Sequence, residues 1–225
     1  MEIHKIPRHL KQYGNFPFWH SLIKESIEII PPDKYLNVLD FGTGEGGFLQ
    51  LFDFLVPEKQ LIGVEKDENL LATCKKRHSA PNISFTASCD LGNGKNETID
   101  IAYSQEVIYT LPRLDEHARE MYYLLRPGGY YLATIGCHVD NPTYTRRKER
   151  IRATENYPAF DYSLDEVGRS FYDAGFRVSV KRLPVTAPLK YSFEADPEFL
   201  SISDLLLSSE QYKTLFVFMK PKHPR

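Results

Sequence analysis

The residues best placed to do chemistry lie in a glycine-rich stretch, "VLDFGTGEGGF", at positions 38 to 48. An apolar run stops at Asp40. Gly42, Gly44, Gly46 and Gly47 follow, with Thr43 and Glu45 among them. Glycines in a turn after a strand let a ligand come close to the backbone. The pattern Gly42-x-Gly44-x-x-Gly47 satisfies the dinucleotide fingerprint. Glu65, about 20 residues further on, stands where a carboxylate accepts the hydroxyls of a ribose. That pairing suits a nicotinamide dinucleotide, a flavin dinucleotide or any adenosine cofactor.

Charge narrows the choice. A pyrophosphate would sit among the amide N–H groups at the start of a helix. Here Asp40 and Glu45 flank that spot, and the loop holds no Lys or Arg. A carboxylate 4 Å from an anion repels it by ~1 kcal/mol even at water's dielectric constant. A P-loop is excluded, because the Gly-Lys-Ser/Thr ending is missing. A cofactor that is cationic on this side fits better. S-adenosylmethionine carries an ammonium and a sulfonium beside its ribose. Asp40 would face the amino group, the glycines would admit the methionine part, and Glu65 would bind the ribose. An NAD(P)-dependent oxidoreductase is the alternative that the loop's acids count against.

Alternating strands and helices must position these residues. "YLNVLDF" (35–41) is a buried parallel strand by its apolar run, "GFLQLFDFL" a helix, and "QLIGVE" (60–65) a second strand. Asp67 is an N-cap for "ENLLATCKKR", whose basic end suits the helix dipole. "NISFTA" (82–87) and "TIDIAYS" (98–104) are the third and fourth strands. Leu114, Ala118, Met121 and Leu125 recur at helical spacing until "RPGG" breaks the pattern, and "YYLATIG" (130–136) is a fifth strand. A helix is expected over 144–154. Ser163 and Glu166 form a capping box for the next helix, which Gly175 ends. "FRVSVKRL" is a sixth strand, "FLSISDLLLSS" a short helix and "YKTLFVFMK" (212–220) a last strand. "FWHSLIKESIEII" (18–30) is a helix stopped by Pro31 and Pro32. The alternation implies a doubly wound parallel sheet, with ligands beyond the carboxyl ends of its strands. The glycine loop, Glu65, Asp90, Ser104 to Glu106 and His138 fall there.

With these pieces in order from about residue 36 to 183, the chain resembles the class I S-adenosylmethionine-dependent methyltransferases. "VLDFGTGEGGF" is similar to their first motif and "LIGVEKDENLL" to their second-strand segment. "TIDIAYSQEVIYTL" is similar to their fourth-strand motif. "MYYLLRPGGYYLAT" and "SLDEVGRSFYDAGFRV" are similar to the segments that close the core. The resemblance implies a Rossmann-like α/β fold: a seven-stranded sheet, mostly parallel, with an antiparallel last strand. It implies one domain over 1–225, with an N-terminal helical lid (1–34) and a substrate-lid insertion (137–162). Asp40, Gly42, Thr43 and Gly44 would hold the methionine side and Glu65 the ribose. Lys66 would cover the adenine, and Cys89 or Asp90 would approach its amino group, depending on register. Ser104 and Gln105 would lie beside the sulfonium.

The methyl acceptor leaves fewer marks. His138 is a candidate general base or a surface-loop histidine, and Tyr109 faces substrate or packs. Tyr109 or Tyr144 is a candidate for cation–π contact with the sulfonium. His20, with Trp19 and Phe16, belongs to the N-terminal lid or to an amphipathic helix packed on the sheet. His117 sits among charges and reads as exposed. "RRKERIR" (146–152) is a concentrated basic run, either a solvated face or, through Arg146, Arg147 or Arg150, a seat for a carboxylate or phosphate. "AYSQ" replaces the Asn-Pro-Pro-Tyr-type tetrapeptide of base and glutamine N-methylating relatives. The expected reaction is methyl transfer to a small-molecule O- or N-nucleophile, with an anionic acceptor a live option. A catalytically silent S-adenosylmethionine-binding partner is the other alternative.

Composition sets the outer limits. The 225 residues are 42% hydrophobic and 26% charged, with a formal net charge of -2. No basic excess favours nucleic acid, and no apolar run approaches the ~20 residues that span a bilayer. Cys74, Cys89 and Cys137 are far apart, which suggests neither a metal site nor a disulfide framework. With a polar, basic start unlike a secretory signal, the chain is expected in the cytoplasm.

Overall fold

The computed structural model describes residues 3–78, 80–91, 96–155, 157–193 and 198–223. Seven strands share one sheet: β1 (Asn37–Phe41), β2 (Gln60–Glu65), β3 (Ile83–Ala87), β4 (Ile99–Gln105), β5 (Leu125–Ile135), β6 (Arg177–Arg182) and β7 (Thr214–Met219). Their order is β3-β2-β1-β4-β5-β7-β6. The pairings from β3 to β5 are parallel, while β7 runs antiparallel to both β5 and β6. This is the Rossmann-like sheet with a reversed last strand that the sequence led us to expect. The order turns back at β1 and β4, so the loops after these two strands share the sheet's ligand-binding crevice.

Among the described residues, seven α-helices flank the strands: α1 (Phe16–Ile29), α2 (Gly47–Leu55), α3 (Glu68–Arg77), α4 (Leu114–Leu124), α5 (Tyr144–Thr154), α6 (Leu164–Asp173) and α7 (Ile202–Leu206). A π-helical turn over Leu207–Tyr212 joins α7 to β7. The strands alternate between two apolar layers. Leu215 and Val217 face one layer with Leu22, Phe48 and Phe52 of α1 and α2. Phe216 and Phe218 face the other, with Met121, Ile151, Val167 and Phe171 of α4, α5 and α6. No helix among the described residues is long and apolar enough to cross a membrane.

Local signals place the helices. Asp67 Oδ1 accepts from the N–H of Asn69 and Leu70 at 2.8 and 3.0 Å. The Ser163–Glu166 capping box is complete, and Gly175 ends α6 at φ +106°. The "RPGG" segment differs from the expected break. β5 begins at Leu125 and runs through it, with a register shift opposite Ile99 and Ile101. Gly128 is left-handed, at φ +83°, and a Cβ on Gly129 would lie 2.9 Å from the Arg126 carbonyl oxygen. The two glycines therefore fold the turn into the strand as a bulge. His117 also differs: it is buried and lies 2.9 Å from the Tyr131 hydroxyl. Charged neighbours on the other faces of α4 hid that inward-facing position.

The α6 layer is tight, and Phe171 stacks on Phe218 with ring centroids 3.9 Å apart. Phe171→Ala should lower unfolding free energy by about 3–5 kcal/mol, read from urea denaturation midpoints at an unchanged m-value.

Candidate functional site

The glycine loop folds against β2. The N–H groups of Gly42 and Thr43 both donate to the Val64 carbonyl at 2.9 Å. Gly42 has φ +77°, and a Cβ there would sit 2.4 Å from Val107 Cγ2. Gly44 is also left-handed, at φ +56°, but a Cβ there would meet nothing within 4 Å. One glycine is required by crowding, and the other leaves backbone open to an incoming group. Gly46 and Gly47 belong to packing: their Cβ atoms would press on His78 and on Tyr13 and Trp19.

Glu65 ends β2 and is buried. Its Oε2 accepts from Gly44 N–H at 2.9 Å, and its Oε1 accepts from Lys66 and Asp67 N–H at 2.9 and 3.1 Å. A carboxylate has about four lone-pair sites, so Oε2 keeps capacity for a hydroxyl. The Cys74 thiol donates to the Gly44 carbonyl and fixes the same turn.

Asp40 is 2% exposed. Burial pushes its carboxyl up to about 7; a Thr43 hydrogen bond pulls back, the Glu65 charge raises it further, and a Gln105 hydrogen bond lowers it. None of these groups is a cation. Asp40 is thus a buried acid poised near neutrality, and a positive ligand would draw out its charged form. Glu45 acts differently from the sequence expectation. It is about half exposed and pairs with Arg77 at 2.9 Å. Its charge is therefore met by the protein, and Asp40 with Glu65 carries the discrimination.

Beyond β4, Gln105 turns toward Asp40, while Glu106 turns toward β5 and β7. Glu106 Oε1 accepts from Gly136 N–H at 2.7 Å and pairs with Lys213 Nζ at 2.9 Å. Tyr109 is buried and its hydroxyl is pushed well up by burial, then by Cys137 and Glu106. Tyr157 and Tyr109 act on each other electrostatically, and Lys66 Nζ lies 5.8 Å from the Tyr157 ring centroid. Tyr157 therefore links the β2 and β4 sides of the edge. Cys89 and Asp90 are both exposed on a single turn after β3, so neither is singled out.

The remaining candidates sit deeper than their sequence context suggests. His138 is fully buried, and its Nε2 donates to the Tyr212 carbonyl at 2.9 Å. His20 is buried with Nδ1 3.0 Å from Thr186 Oγ1, and burial lowers its pKa. Tyr144 is buried and donates to the Phe160 carbonyl at 2.5 Å. Ser104 is buried inside the sheet. Arg147 pairs with Glu198 at 2.7 Å, and Arg146 keeps a buried Nη1 without a protein acceptor. A surface groove between α6 and the β6–β7 edge is lined by none of these residues.

Sequence reasoning placed Glu106 at the ligand-binding edge without giving it a role, and did not single out Tyr157 or Lys213 as site residues. One signal was present for Lys213. It immediately precedes β7, and an antiparallel strand starts at the edge where its parallel neighbours end.

Residues 39–133 match a family model described as a methyltransferase domain. That match covers a little under half of the chain. A phthiotriol/phenolphthiotriol dimycocerosates methyltransferase of Mycobacterium tuberculosis is 26% identical over 100 residues, 42% of this chain and 36% of that one. A trans-aconitate 2-methyltransferase of Sinorhizobium fredii is 23% identical over 152 residues, 68% of this chain and 52% of that one. The chain thus spans about a third of the length of the first of these relatives and half of the second. Among solved structures, a chain from the complex of the Haloferax volcanii Trm112 methyltransferase activator with a methyltransferase superposes with a TM-score of 0.77. Its identity is 17%, covering 96% of this chain and 95% of that one. The methyltransferase-domain match runs from β1 into β5. It includes the glycine loop, Glu65 and Glu106, and it ends before α5 and Lys213.

Asp40 makes the folded methyltransferase domain sensitive to pH. The folded state keeps its proton up to about pH 7, whereas an unfolded Asp loses it near pH 4. The stability contributed by that proton is present below about pH 4 and lost as pH rises through about 7, on the order of 4 kcal/mol in all. Asp40→Asn should flatten this part of the unfolding free energy measured between about pH 5 and 8. An unchanged slope would remove Asp40 as its source.

Proposed function

We propose that this chain transfers a methyl group from S-adenosylmethionine to a small-molecule acceptor with an oxygen or nitrogen nucleophile. The observation that carries this reading is Asp40, a buried acid with no cation acting on it, one turn from the open backbone face at Gly44. The residues fit the cofactor. Asp40, Gly42, Thr43 and Gly44 take its cationic methionine end. Glu65 keeps an oxygen at the rim for a ribose hydroxyl. Lys66 and the Cys89–Asp90 turn stand on the adenine side, and Ser104 and Gln105 on the side of the reacting centre. When bound, S-adenosylmethionine supplies a methyl group already activated by positive sulfur. The protein's task is then alignment and exclusion of water, which can supply ~7–11 kcal/mol of barrier reduction.

We read residues 1–225 as one methyltransferase domain, with 1–34 and 137–162 as its lids. Phe18 of α1 lies 4.0 Å, ring centroid to Nζ, from Lys213 at the carboxyl edge. Tyr157 reaches across to Lys66. The acceptor lies between them, with His20, Tyr144, Arg146 and Arg147 in the surrounding wall, and the buried arginine donors favour an acceptor that carries a carboxylate or phosphate. His138 serves as frame in this reading, since its Nε2 is committed to Tyr212. The free cysteines Cys74, Cys89 and Cys137 suit a reducing cytoplasm.

S-adenosylhomocysteine should raise the thermal unfolding midpoint, while NAD and NADP should not. At 100 times its Kd the gain is about 2.7 kcal/mol. Asp40→Ala and Glu65→Ala should each abolish the shift. Stabilisation by NAD alone would overturn the assignment.

A further inference from the structure

We propose that Glu106 docks the acceptor, its free oxygen Oε2 receiving a hydrogen bond from the N–H of an amine nucleophile. This rests on the methyl-transfer reading above.

The backbone of Glu106 is strained. Glu58, Glu97 and Glu106 are the non-glycine residues with positive φ among those described. Glu58 and Glu97 are exposed turn residues that lead into strands. Glu106, at φ +56°, instead lies at the carboxyl edge, where ligands bind. Left-handed backbone at a bulky residue persists only where its surroundings enforce it, and such residues gather at functional sites. Here the surroundings do enforce it. Glu106 N–H donates to the Thr134 carbonyl at 3.0 Å. Gly136 N–H and Lys213 Nζ both engage Oε1. Gly136 makes this convergence fit: a Cβ there would lie 3.2 Å from Arg147 Nη1, 3.3 Å from Lys213 Cδ and 3.5 Å from Glu106 Oε1.

All of that restraint falls on one oxygen. Oε2 is buried and has no protein donor. A buried carboxylate oxygen without a partner is unfavourable unless a donor arrives from outside. The preceding residue, Gln105, acts on Asp40, while the Glu106 carboxylate turns to the Gly136, Lys213 and Arg147 side, so the end of β4 adjoins both the proposed cofactor seat and the Oε2 pocket. Tyr109 and Cys137 feel its charge from the other side.

The same environment selects the acceptor. Burial works to raise the Glu106 pKa, but Lys213 and then Arg147 outweigh it and hold the carboxyl below its usual range. Glu106 therefore accepts a hydrogen bond well and keeps a proton badly. An alcohol needs its proton removed during attack; an amine that has left its ammonium proton with water before docking brings its own lone pair. The nitrogen pair forms the C–N bond as the C–S bond breaks and that bond's electrons stay with sulfur. The resulting methylammonium then releases its proton to water.

The test uses methyl-tritiated S-adenosylmethionine with small primary and secondary amines, each matched by the corresponding alcohol: ethanolamine with ethylene glycol, β-alanine with 3-hydroxypropionate, phosphoethanolamine with ethylene glycol phosphate. Label should enter amines. Glu106→Gln should keep the S-adenosylhomocysteine thermal shift and lose at least 100-fold in kcat/KM, chiefly in kcat. If the single variant unfolds because Lys213 is left unpaired, the double variant Glu106→Gln, Lys213→Met should fold and stay inactive. Wild-type turnover by Glu106→Gln, label only in alcohols, or no labelled amine from a protein that shifts with S-adenosylhomocysteine would each overturn the proposal. Absence of that shift in the wild type would instead sink the methyl-transfer reading itself.

Discussion

The structure turns on a carboxyl that is buried without a cation of its own. Moving an ionised acid out of water is costly, and proteins usually meet that cost with an Arg or Lys. At Asp40 none is supplied. Thr43 and Gln105 lower its pKa, but burial outweighs them and holds it up to about 7. Everything around it preserves that condition. Gly42 packs against Val107, Cys74 ties the Gly44 carbonyl, and Glu65 gathers the loop's N–H groups. In the proposed reading, a loop built this way disfavours phosphate and suits a positive group.

A few residues away the opposite economy holds. Glu106 is also a deeply placed acid, but Lys213 and Arg147 attend it, and Glu198 in turn attends Arg147. One side of the crevice stores uncompensated negative charge, and the other stores a balanced network. The difference fits two tasks: the first must attract a cation strongly, and the second must hold a geometry without attracting charge indiscriminately. Gln105 and Glu106 are adjacent in sequence and turn to opposite sides, so the end of β4 is where the two meet.

Much of this was legible beforehand where the cause is local. Asp67, the Ser163–Glu166 box and Gly175 mark helix ends through groups within a few residues of one another. The glycine loop and Glu65 were legible because their spacing follows from one β-α-β unit. Other features depend on distant chain. His117 is drawn inward by Tyr131, Glu45 is neutralised by Arg77 across α3, and His138 is enclosed by the chain at Tyr212. No local helix or strand pattern pairs those partners. "RPGG" does follow the end of α4, but the start of β5 was placed too late for a different reason: turn residues that follow a helix can also seat a bulge, and only the register of β4 against β5 decides.

The acceptor side shows the limit most sharply. Lys213 reaches Glu106 because β7 enters the sheet reversed, pairing Thr214 with Ile135, so the residue before β7 falls beside the residue after β5. The cofactor half of the crevice is built from consecutive units, and the family match covers it. The acceptor half is assembled from the end of β4, the start of α5 and the start of β7, and the match stops at residue 133. A site drawn from separate connections can change its acceptor by altering α5 or the approach to β7 while the glycine loop stays fixed. In the proposed reading, specificity is therefore a property of the fold's long connections, and cofactor choice is a property of its first strand.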